Sequence, residues 1–304
     1  MRLAAISVDL DEIQNYFQIH GLAAPEGPAA RLVYDVAIGR LRTMAKDAGL
    51  PLTLFAIGSD LVRPEAAASL RAAHDAGHEI ANHSLDHRYD LVRLDPGKVR
   101  DQIRLGADAI ARATGARPVG FRAPGYTISD EVFRALAELD VAYDSSVFPC
   151  PPYYAAKAAA LGAIALRGRA SRSILDTPRV LTAPTRPYRV GTPYFRRGHG
   201  VLELPIQVTR WVRLPFIGTT LTLAGPDRAR ALARMCVGEP LVNLELHGID
   251  VLDAADGLEA LRPFQPDVRV PLARKLAALH AAYDVLRSAG YAFVTLREAA
   301  AAFA

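Results

Sequence analysis

Residues 52–87 read LTLFAIGSDLVRPEAAASLRAAHDAGHEIANHSLDH and contain a strand-like run, a helical pattern and a second strand-like run. The first run, Leu52–Ile57, is short and apolar, as is typical of a buried strand. The helical pattern, Pro64–Ala76, begins with proline and ends before Gly77, which are common start and stop signals of a helix. With the second run at Glu79–Asn82, this order predicts one unit of a parallel sheet.

The same alternation extends over most of the chain and predicts about seven or eight strand–helix units, which favours a barrel over an open doubly wound sheet. Further strands are predicted at Leu3–Val8, Val119–Arg122, Ala142–Val147, Val201–Thr209, Leu241–His247 and Phe293–Arg297. Further helices are predicted at Ala29–Ala48, Pro96–Thr114, Ser129–Leu139, Asp227–Met235 and Leu272–Ser288. Proline, arginine and glycine accumulate at about residues 149–200, so we expect a long irregular insertion there, within a single domain over residues 1–304.

The composition limits the class of protein. The chain has 304 residues, of which 51% are hydrophobic and 22% charged, so it can bury a large core. Its net charge of +4 is spread along the sequence and does not predict nucleic-acid binding. Cys150 and Cys236 are too few for a disulfide framework, and the first residues, MRLAAISVDLDE, do not resemble a secretory signal. We therefore expect a cytoplasmic protein.

Two histidines four residues apart, His83 and His87, follow the strand-like run at 79–82. On a helical turn they would share one face and could bind one metal ion. His74 and His78 have the same spacing, so the spacing alone is weak evidence. The predicted secondary structure distinguishes the two pairs. His74 lies in a predicted helix, whereas His83 and His87 follow the carboxyl end of a parallel strand, which would bring them to the active face.

Two carboxylates, Asp9 and Asp11, stand at the end of the first predicted strand. Alternation along a strand would point both to the same side. Like charges raise each other's pKa, so two neighbouring carboxylates need different roles, and one metal ligand plus one general base is a natural division. The alternative is an acidic turn that caps a helix.

Three further polar residues, Arg122, Asp144 and His247, also follow strand-like runs. Taken singly, they would be ordinary as an arginine in an ion pair, an aspartate in a turn and a histidine in the core. Because the carboxyl ends of barrel strands meet at one face, we expect all of them to lie near the aspartates and the histidine pair.

Five motifs in this order resemble the polysaccharide deacetylase family, also called carbohydrate esterase family 4 or the NodB-homology group. They are DLD (9–11), GHEIANHSLDH (77–87), FRAPGY (121–126), YDSSV (143–147) and LELHG (244–248). The resemblance implies a distorted (β/α)7-type barrel with one divalent metal ion, most often Zn²⁺, with Co²⁺, Ni²⁺ or Fe²⁺ as alternatives. It implies removal of an N-acyl group, acetyl or formyl, from an amino sugar or a related compound.

The resemblance also implies a role for each matched residue of the metal centre. Asp11, His83 and His87 match the three metal ligands of the family. Asp9 matches the base that activates the attacking water, and Arg122 matches the arginine that pairs with this base and keeps it ionised.

Four residues match the family's acid and substrate-binding positions. His247 matches the acid that protonates the leaving amine, and Asp144 matches the aspartate that hydrogen-bonds this histidine. Gly125 stands where the family has its oxyanion-stabilising backbone N–H, and its neighbour Tyr126 is the predicted substrate-binding aromatic.

The chain departs from the family pattern at three positions, which affect the expected substrate. Leu10 separates two aspartates that are usually adjacent, a DxD form that resembles members acting on small, lipid-linked or ureide substrates. Ser145 replaces a usual aromatic, so one wall of the sugar site must come from elsewhere. The aromatic usually found at Gly125 is shifted to Tyr126.

The expected substrate is an N-acylated amino sugar that is nucleotide-linked, lipid-linked or otherwise cytosolic. The alternative is a non-carbohydrate linear or cyclic amide, as for an allantoinase-like enzyme. A third hypothesis, a catalytically silent barrel, is disfavoured because every catalytic position holds a competent residue.

The segment Val201–Ala224 is rich in apolar residues and also contains Trp211 and Arg213. An apolar run of this length is usually core, which favours a strand followed by a buried hairpin. The alternative is an apolar surface beside the catalytic face, in peripheral contact with the inner face of a membrane.

Overall fold

A computed structural model describes residues 2–304. Its strands are β1 (Leu3–Asp9), β2 (Thr53–Ala56), β3 (Glu79–Asn82), β4 (Gly120–Phe121), β5 (Tyr143–Asp144), β6 (Tyr188–Val190), β7 (Arg197–Glu203), β8 (Leu241–His247) and β9 (Ala292–Phe293). Its α-helices are α1 (Ile13–Ile19), α2 (Ile38–Ala48), α3 (Pro64–Asp75), α4 (Pro96–Thr114), α5 (Asp130–Glu138), α6 (Pro151–Leu166), α7 (Gly218–Ala224), α8 (Pro226–Cys236), α9 (Leu272–Ser288) and α10 (Leu296–Phe303). No helix in residues 2–304 is long and apolar enough to cross a membrane.

The strands form one curled sheet in the order β6-β7-β5-β4-β3-β2-β1-β8, and β9 pairs with the first residues of β1. Every pairing is parallel except that of β6 with β7. The sheet makes a half-barrel surrounded by helices, so the predicted distorted (β/α)7-type barrel in a single domain is confirmed.

The first strand, β1, shows how the alternation of side chains builds the two sides of the sheet. Ile6, Val8 and Leu10 belong to the large apolar core between the sheet and its helices. Ser7 and Asp9 point to the opposite side, into the barrel, where both contact the same buried arginine. One strand therefore supplies the core with one face and the interior of the barrel with the other.

The residues between β7 and α7 fill the gap between the two ends of the curled sheet. The backbone N–H of Ile206 donates to Val147 O at 3.0 Å, and that of Gln207 donates to Asn243 O at 3.0 Å. Ile217 then forms a parallel bridge with Glu245 in β8. Irregular backbone thus takes the place of regular strands at this part of the barrel wall.

Neither hypothesis for Val201–Ala224 describes Trp211 correctly. The predicted buried hairpin is wrong there, because Trp211 is 87% exposed at the tip of a turn. The neighbouring Arg210 binds Met235 O through its N–H and Val237 O through its guanidinium, just before β8 begins. The turn therefore lies at the amino end of β8, opposite to the end that carries His247, so Trp211 does not lie beside the catalytic face.

The predicted irregular insertion at about 149–200 is more regular than expected. It contains α6, a helix of 16 residues, and the β6 strand. The helix begins with two prolines, which favour the first helical turn, and continues with a run of alanine, the strongest helix former. Because the prolines and glycines elsewhere in this region are typical of irregular structure, neither element was predicted from the sequence.

The loop after β3 carries His83 and His87 and is held against α4. Asn82 Nδ2 donates to Ile103 O at 2.8 Å, and the backbone N–H of Ser84 donates to Asn82 Oδ1 at 3.0 Å. The φ angles of Ser84 and His87 are 70° and 50°, so the two histidines do not lie on the helical turn that the spacing suggested. Gly106 of α4 lets the helix approach closely, since a Cβ there would lie 2.6 Å from Asn82 Oδ1.

We predict that Gly106→Ala destabilises the protein. Alanine is favoured over glycine in a helix by about 1 kcal/mol. That gain is outweighed because the new methyl group would also lie 2.8 Å from the Ser84 carbonyl carbon, and such overpacking costs about 1–3 kcal/mol. Urea unfolding should show a net loss of stability in Gly106→Ala. The control is Gly97→Ala in the same helix, where nothing lies within 4 Å of the added methyl group. A loss of equal size in both variants would contradict the account.

Candidate metal centre and catalytic cleft

The register of the parallel strands brings the predicted site residues to one end of the barrel. Asp9, the last residue of β1, pairs with Phe55 in β2 and with His247 in β8. Phe121 pairs with Asp144 in the same way, so Arg122 follows at the same level. The expectation that these strand ends meet at one face is confirmed for their backbone positions.

Asp11, His83 and His87 form a compact, buried cluster. Asp11 Oδ1 lies 3.3 Å from His83 Nε2 and 3.1 Å from His87 Nε2. None of these three atoms has a hydrogen-bond partner of acceptable geometry among residues 2–304. Buried polar atoms without partners are unfavourable, so their convergence indicates a ligand that would satisfy all three.

The orientation of His83 suits metal binding. Its Nδ1 lies 2.8 Å from the backbone carbonyl oxygen of Arg122, which can only accept a hydrogen bond. The Nδ1 atom therefore carries the hydrogen, and the lone pair of Nε2 faces Asp11. One carboxylate and two imidazoles are a common ligand set for catalytic zinc, which keeps a further position open for water. The three residues fit a divalent ion.

Arg122 is fully buried and holds Asp9 through a short ion pair. Its Nη1 donates to Asp9 Oδ1 at 2.7 Å, and its Nη2 donates to the hydroxyl oxygens of Ser7 and Ser145 at 2.9 Å. Burial opposes the charge on Arg122, but the carboxylate of Asp9 outweighs this effect, and the pKa of Arg122 is raised. The second oxygen, Asp9 Oδ2, lies 3.8 Å from His83 Nε2 and faces the metal cluster.

Ser145 belongs to the support of Arg122 rather than to the wall of the cleft. In addition to the bond to its hydroxyl group, its backbone carbonyl accepts a hydrogen bond from Arg122 Nε at 2.7 Å. An aromatic side chain would not fit among these buried partners. The aromatic wall is supplied instead by Tyr126, Tyr153 and Tyr89, which all line the cleft.

The prediction that Asp144 hydrogen-bonds His247 is wrong. Asp144 accepts hydrogen bonds from the backbone N–H and hydroxyl of Ser146, and its neighbour is Glu203. The carboxylate beside His247 is that of Glu245, whose Oε1 lies 2.8 Å from His247 Nδ1. Both Asp144 and Glu245 are buried, but the side chain of Asp144, at the end of β5, is held by its hydrogen bonds from Ser146.

Glu245 is a site residue that sequence reasoning missed, although the sequence contained a signal. Asn243, Glu245 and His247 alternate along β8 and therefore share the face that points into the barrel. Burial lowers the pKa of His247, but the carboxylate of Glu245 and, to a smaller extent, those of Asp11 and Asp9 outweigh it and raise this pKa well above its usual value.

The cluster opens into a cleft of about 520 Å³ whose lining is mainly apolar and aromatic. Gly125 and Tyr126, predicted to bind substrate, both line it, and the hydroxyl of Tyr126 lies 3.4 Å from His247 Nε2.

Lys157 of α6 also lines the cleft, and its Nζ donates to Gly125 O at 2.9 Å. Burial lowers the pKa of Lys157 to about 8, with Asp176 opposing the shift. Sequence reasoning missed this lysine because the insertion was expected to be irregular.

A second group of acidic and histidine side chains adjoins the first. Ligand atoms of Asp9, Glu245 and His247 lie within 4.8 Å of one another. The guanidinium of Arg122 is bound to Asp9, however, and its positive charge disfavours a cation at this second position. The electrostatics therefore favour Asp11, His83 and His87 as the ligand set.

Known proteins resemble this chain in sequence and in fold. The family model described as polysaccharide deacetylase matches residues 37–143, which carry the His83–His87 and Arg122 motifs. The resemblance to that family is thereby confirmed. The peptidoglycan deacetylase-like protein FGM2 from Gibberella zeae is 29% identical over 147 residues, which are 47% of this chain and 43% of that protein. The match spans less than half the length of this curated relative.

Solved structures with the same fold include both an esterase-family domain and a pseudoenzyme. A candidate polysaccharide deacetylase from Mycobacterium smegmatis is 20% identical, with a TM-score of 0.54 over 96% of this chain and 92% of that one. The Xyl-CE4 domain of a xylanase from a Trinervitermes trinervoides hindgut metagenome is 14% identical (TM-score 0.50; 98% and 88% covered). A family 4 pseudoenzyme from Bacillus anthracis is 13% identical (TM-score 0.51; 98% and 64% covered). The likeness shows the fold, and the function must be argued from the site.

We predict that the protein binds one divalent ion per chain and that His83→Ala abolishes this binding, because the substitution deletes one of three converging ligand atoms. Metal content per chain after dialysis measures this binding. The matched control is His74→Ala, which removes a histidine of α3 with no place in the cluster and should leave metal content unchanged. One divalent ion per chain retained in His83→Ala would contradict the ligand assignment.

Proposed function

We propose that the protein is a metal-dependent hydrolase that removes an acetyl or formyl group from the nitrogen of an amino sugar or sugar conjugate. The observation that carries the proposal is the pair of proton-transfer groups beside the metal cluster. Asp9, held by Arg122, stands on one side, and His247, beside Glu245, stands on the other. Amide hydrolysis needs a base for water and an acid for the leaving nitrogen.

When bound by Asp11, His83 and His87, a divalent ion would polarise the acyl carbonyl and lower the pKa of water to about 7. We expect Zn²⁺, with Co²⁺, Ni²⁺ or Fe²⁺ as alternatives. Asp9 accepts the proton of the attacking water as the new C–O bond forms, and Arg122 fixes the direction of this carboxylate. A backbone N–H near Gly125 would stabilise the developing oxyanion.

His247 completes the reaction in this proposal. It donates its proton to the nitrogen as the C–N bond breaks, so that the products are a carboxylic acid and a free amine. An amine is a poor leaving group unless it is protonated, and an acid is therefore required. The neighbouring Glu245 carboxylate is the main cause that raises the pKa of His247, and this favours the protonated form that the proposed step needs.

We predict that Glu245→Gln shifts the alkaline limb of the pH–rate profile to lower pH. The activity requires protonated His247 and so declines as the pH rises through its pKa, and removal of the neighbouring carboxylate lowers that pKa. Profiles of kcat against pH measure the shift. Asp144→Asn is the matched control, because Asp144 does not contact His247, and its alkaline limb should stay in place. An unchanged limb in Glu245→Gln would contradict the role of Glu245.

The substrate is expected to be an amino sugar because tyrosines line much of the cleft. Their rings offer flat apolar faces with polar edges, which suit the faces and hydroxyl groups of a sugar. The sugar could be lipid-linked or nucleotide-linked, and a cytoplasmic location for the enzyme stays a prediction. A cyclic or linear ureide is the competing substrate class, since the same amide chemistry would hydrolyse it.

We predict release of acetate or formate from a panel of N-acetylated and N-formylated amino sugars by the metal-loaded protein. Enzymatic detection of the free acid measures the reaction, and His83→Ala is the negative control. Hydrolysis of allantoin or hydantoin with no reaction on any acylated sugar would replace the proposal by the competing substrate class. No hydrolysis of either class by protein with one metal ion per chain would contradict both.

A further inference from the structure

A buried group of three charged side chains lies next to His247 and has no part in the reaction described so far. Asp250, Asp267 and Lys275 are all fully buried. Lys275 Nζ lies 3.5 Å from Asp267 Oδ2, so two of the three form an ion pair. Charged side chains are almost never fully buried unless they are paired, because their removal from water is unfavourable. The third charge, that of Asp250, therefore needs an explanation.

The turn Gly248–Val251 connects this group to the end of β8. The side chain of Asp250 folds back on the strand, and its Oδ2 accepts a hydrogen bond from the backbone N–H of His247 at 2.9 Å. Lys275 of α9 donates from Nζ to the carbonyl oxygen of Ile249 at 3.0 Å. The helix thus holds the turn, and the turn holds the backbone of His247.

The three side chains also act on one another through their charges. Burial and the charge of Asp267 raise the pKa of Asp250 to about 7, whereas the charges of Lys275 and His247 oppose this rise. Two buried carboxyl groups raise each other's pKa unless a cation lies near them, and Lys275 is that cation. We call Asp250, Asp267 and Lys275 the Asp250 cluster.

Gly218, the first residue of α7, leaves the space that the Asp250 carboxyl group occupies. A Cβ at this position would overlap Asp250 Oδ2 and lie 2.7 Å from Asp250 Cγ. The φ angle of Gly218 is not in the left-handed region, so the close approach, and not the backbone conformation, explains the glycine. The two helices α7 and α9 therefore restrict the position of this carboxyl group.

Three contacts hold His247. Its Nδ1 lies 2.8 Å from Glu245 Oε1, and its Nε2 lies 3.4 Å from the hydroxyl oxygen of Tyr126. The third contact, to Asp250, fixes the point of the backbone from which the imidazole projects. Proton transfer depends steeply on geometry, and a displacement of about 1 Å can lower a rate about a hundredfold.

We propose that Asp250 is a positioning residue, which holds the backbone of His247 so that the imidazole reaches the leaving nitrogen. As far as the proton transfer is concerned, this inference rests on the proposed function. Asp250 acts through His247 and does not line the cleft itself. Lys275 supports it in two ways, because it offsets the charge of the carboxyl groups and holds the turn through Ile249.

Kinetics and metal content of the metal-loaded protein test the proposal. Asp250→Ala should lower kcat by about a hundredfold, with KM and metal content unchanged, because only the proton donor is displaced. The variant should fold, since its loss leaves Lys275 paired with Asp267. Asp250→Asn keeps an oxygen that can accept the His247 N–H and should restore most of the activity.

The matched control is Asp253→Ala, which removes another aspartate that follows β8. Asp253 also accepts backbone hydrogen bonds, from Ala255 at 2.9 Å and from Leu272 at 2.7 Å, but it does not contact His247. Its loss should leave kcat at the wild-type value.

A substitution on a different element gives an independent test. Gly218→Ala places a methyl group against the Asp250 carboxyl group and displaces it, so kcat should fall as in Asp250→Ala. In the double variant the methyl group has no carboxyl group to displace, and the two losses should not multiply. Losses that multiply would count against the proposal, because Gly218→Ala would then act through another contact.

Amide hydrogen exchange separates this proposal from the proposed function, because it needs no substrate. The N–H of His247 should exchange faster in Asp250→Ala than in the wild type and in Asp250→Asn. If the wild type hydrolyses no acylated substrate, the proposed function fails, and the exchange rates alone decide whether Asp250 holds His247. Three results would overturn the proposal: a kcat of Asp250→Ala equal to that of Asp253→Ala, a loss in Asp250→Asn as large as in Asp250→Ala, or an unchanged exchange rate at His247.

Discussion

A fully buried guanidinium, that of Arg122, is the constraint on which the rest of the site depends. A charge inside a barrel is tolerated only when it is paired and hydrogen-bonded, and Arg122 reaches Asp9, Ser7 and Ser145 for this purpose. Ser7 and Asp9 lie on β1 and Ser145 directly follows β5, so the arginine ties these strand ends together. Its backbone carbonyl also orients His83. The same residue thus positions Asp9, the proposed base, through its side chain and His83, a proposed metal ligand, through its backbone.

Much of this arrangement could be predicted because it follows local rules. The alternation of strands and helices predicted the barrel, and alternation along β1 predicted that Asp9 and Asp11 point to the same side. The predicted strand before His83 and His87 distinguished this pair from the equally spaced His74 and His78. Each of these inferences needs only the few residues around it.

The errors have a physical reason in common, because each depends on contacts between distant segments. The partner of His247 is decided by which carboxylate the packed barrel brings near it, and Glu245 takes that position while Asp144 is held by Ser146 and Glu203. The exposure of Trp211 depends on how residues 204–217 cross the open side of the sheet. The loop conformation at His83 depends on the close approach of Gly106 in α4.

We propose that a divalent ion binds between Asp11, His83 and His87 while Arg122 keeps Asp9 free of the metal. Anomalous diffraction from crystals soaked in Co²⁺ or Zn²⁺ tests this arrangement. We expect one anomalous peak at bonding distance from Asp11, His83 Nε2 and His87 Nε2, with the Arg122–Asp9 ion pair intact. A peak among Asp9, Glu245 and His247 instead, with Arg122 displaced, would contradict it.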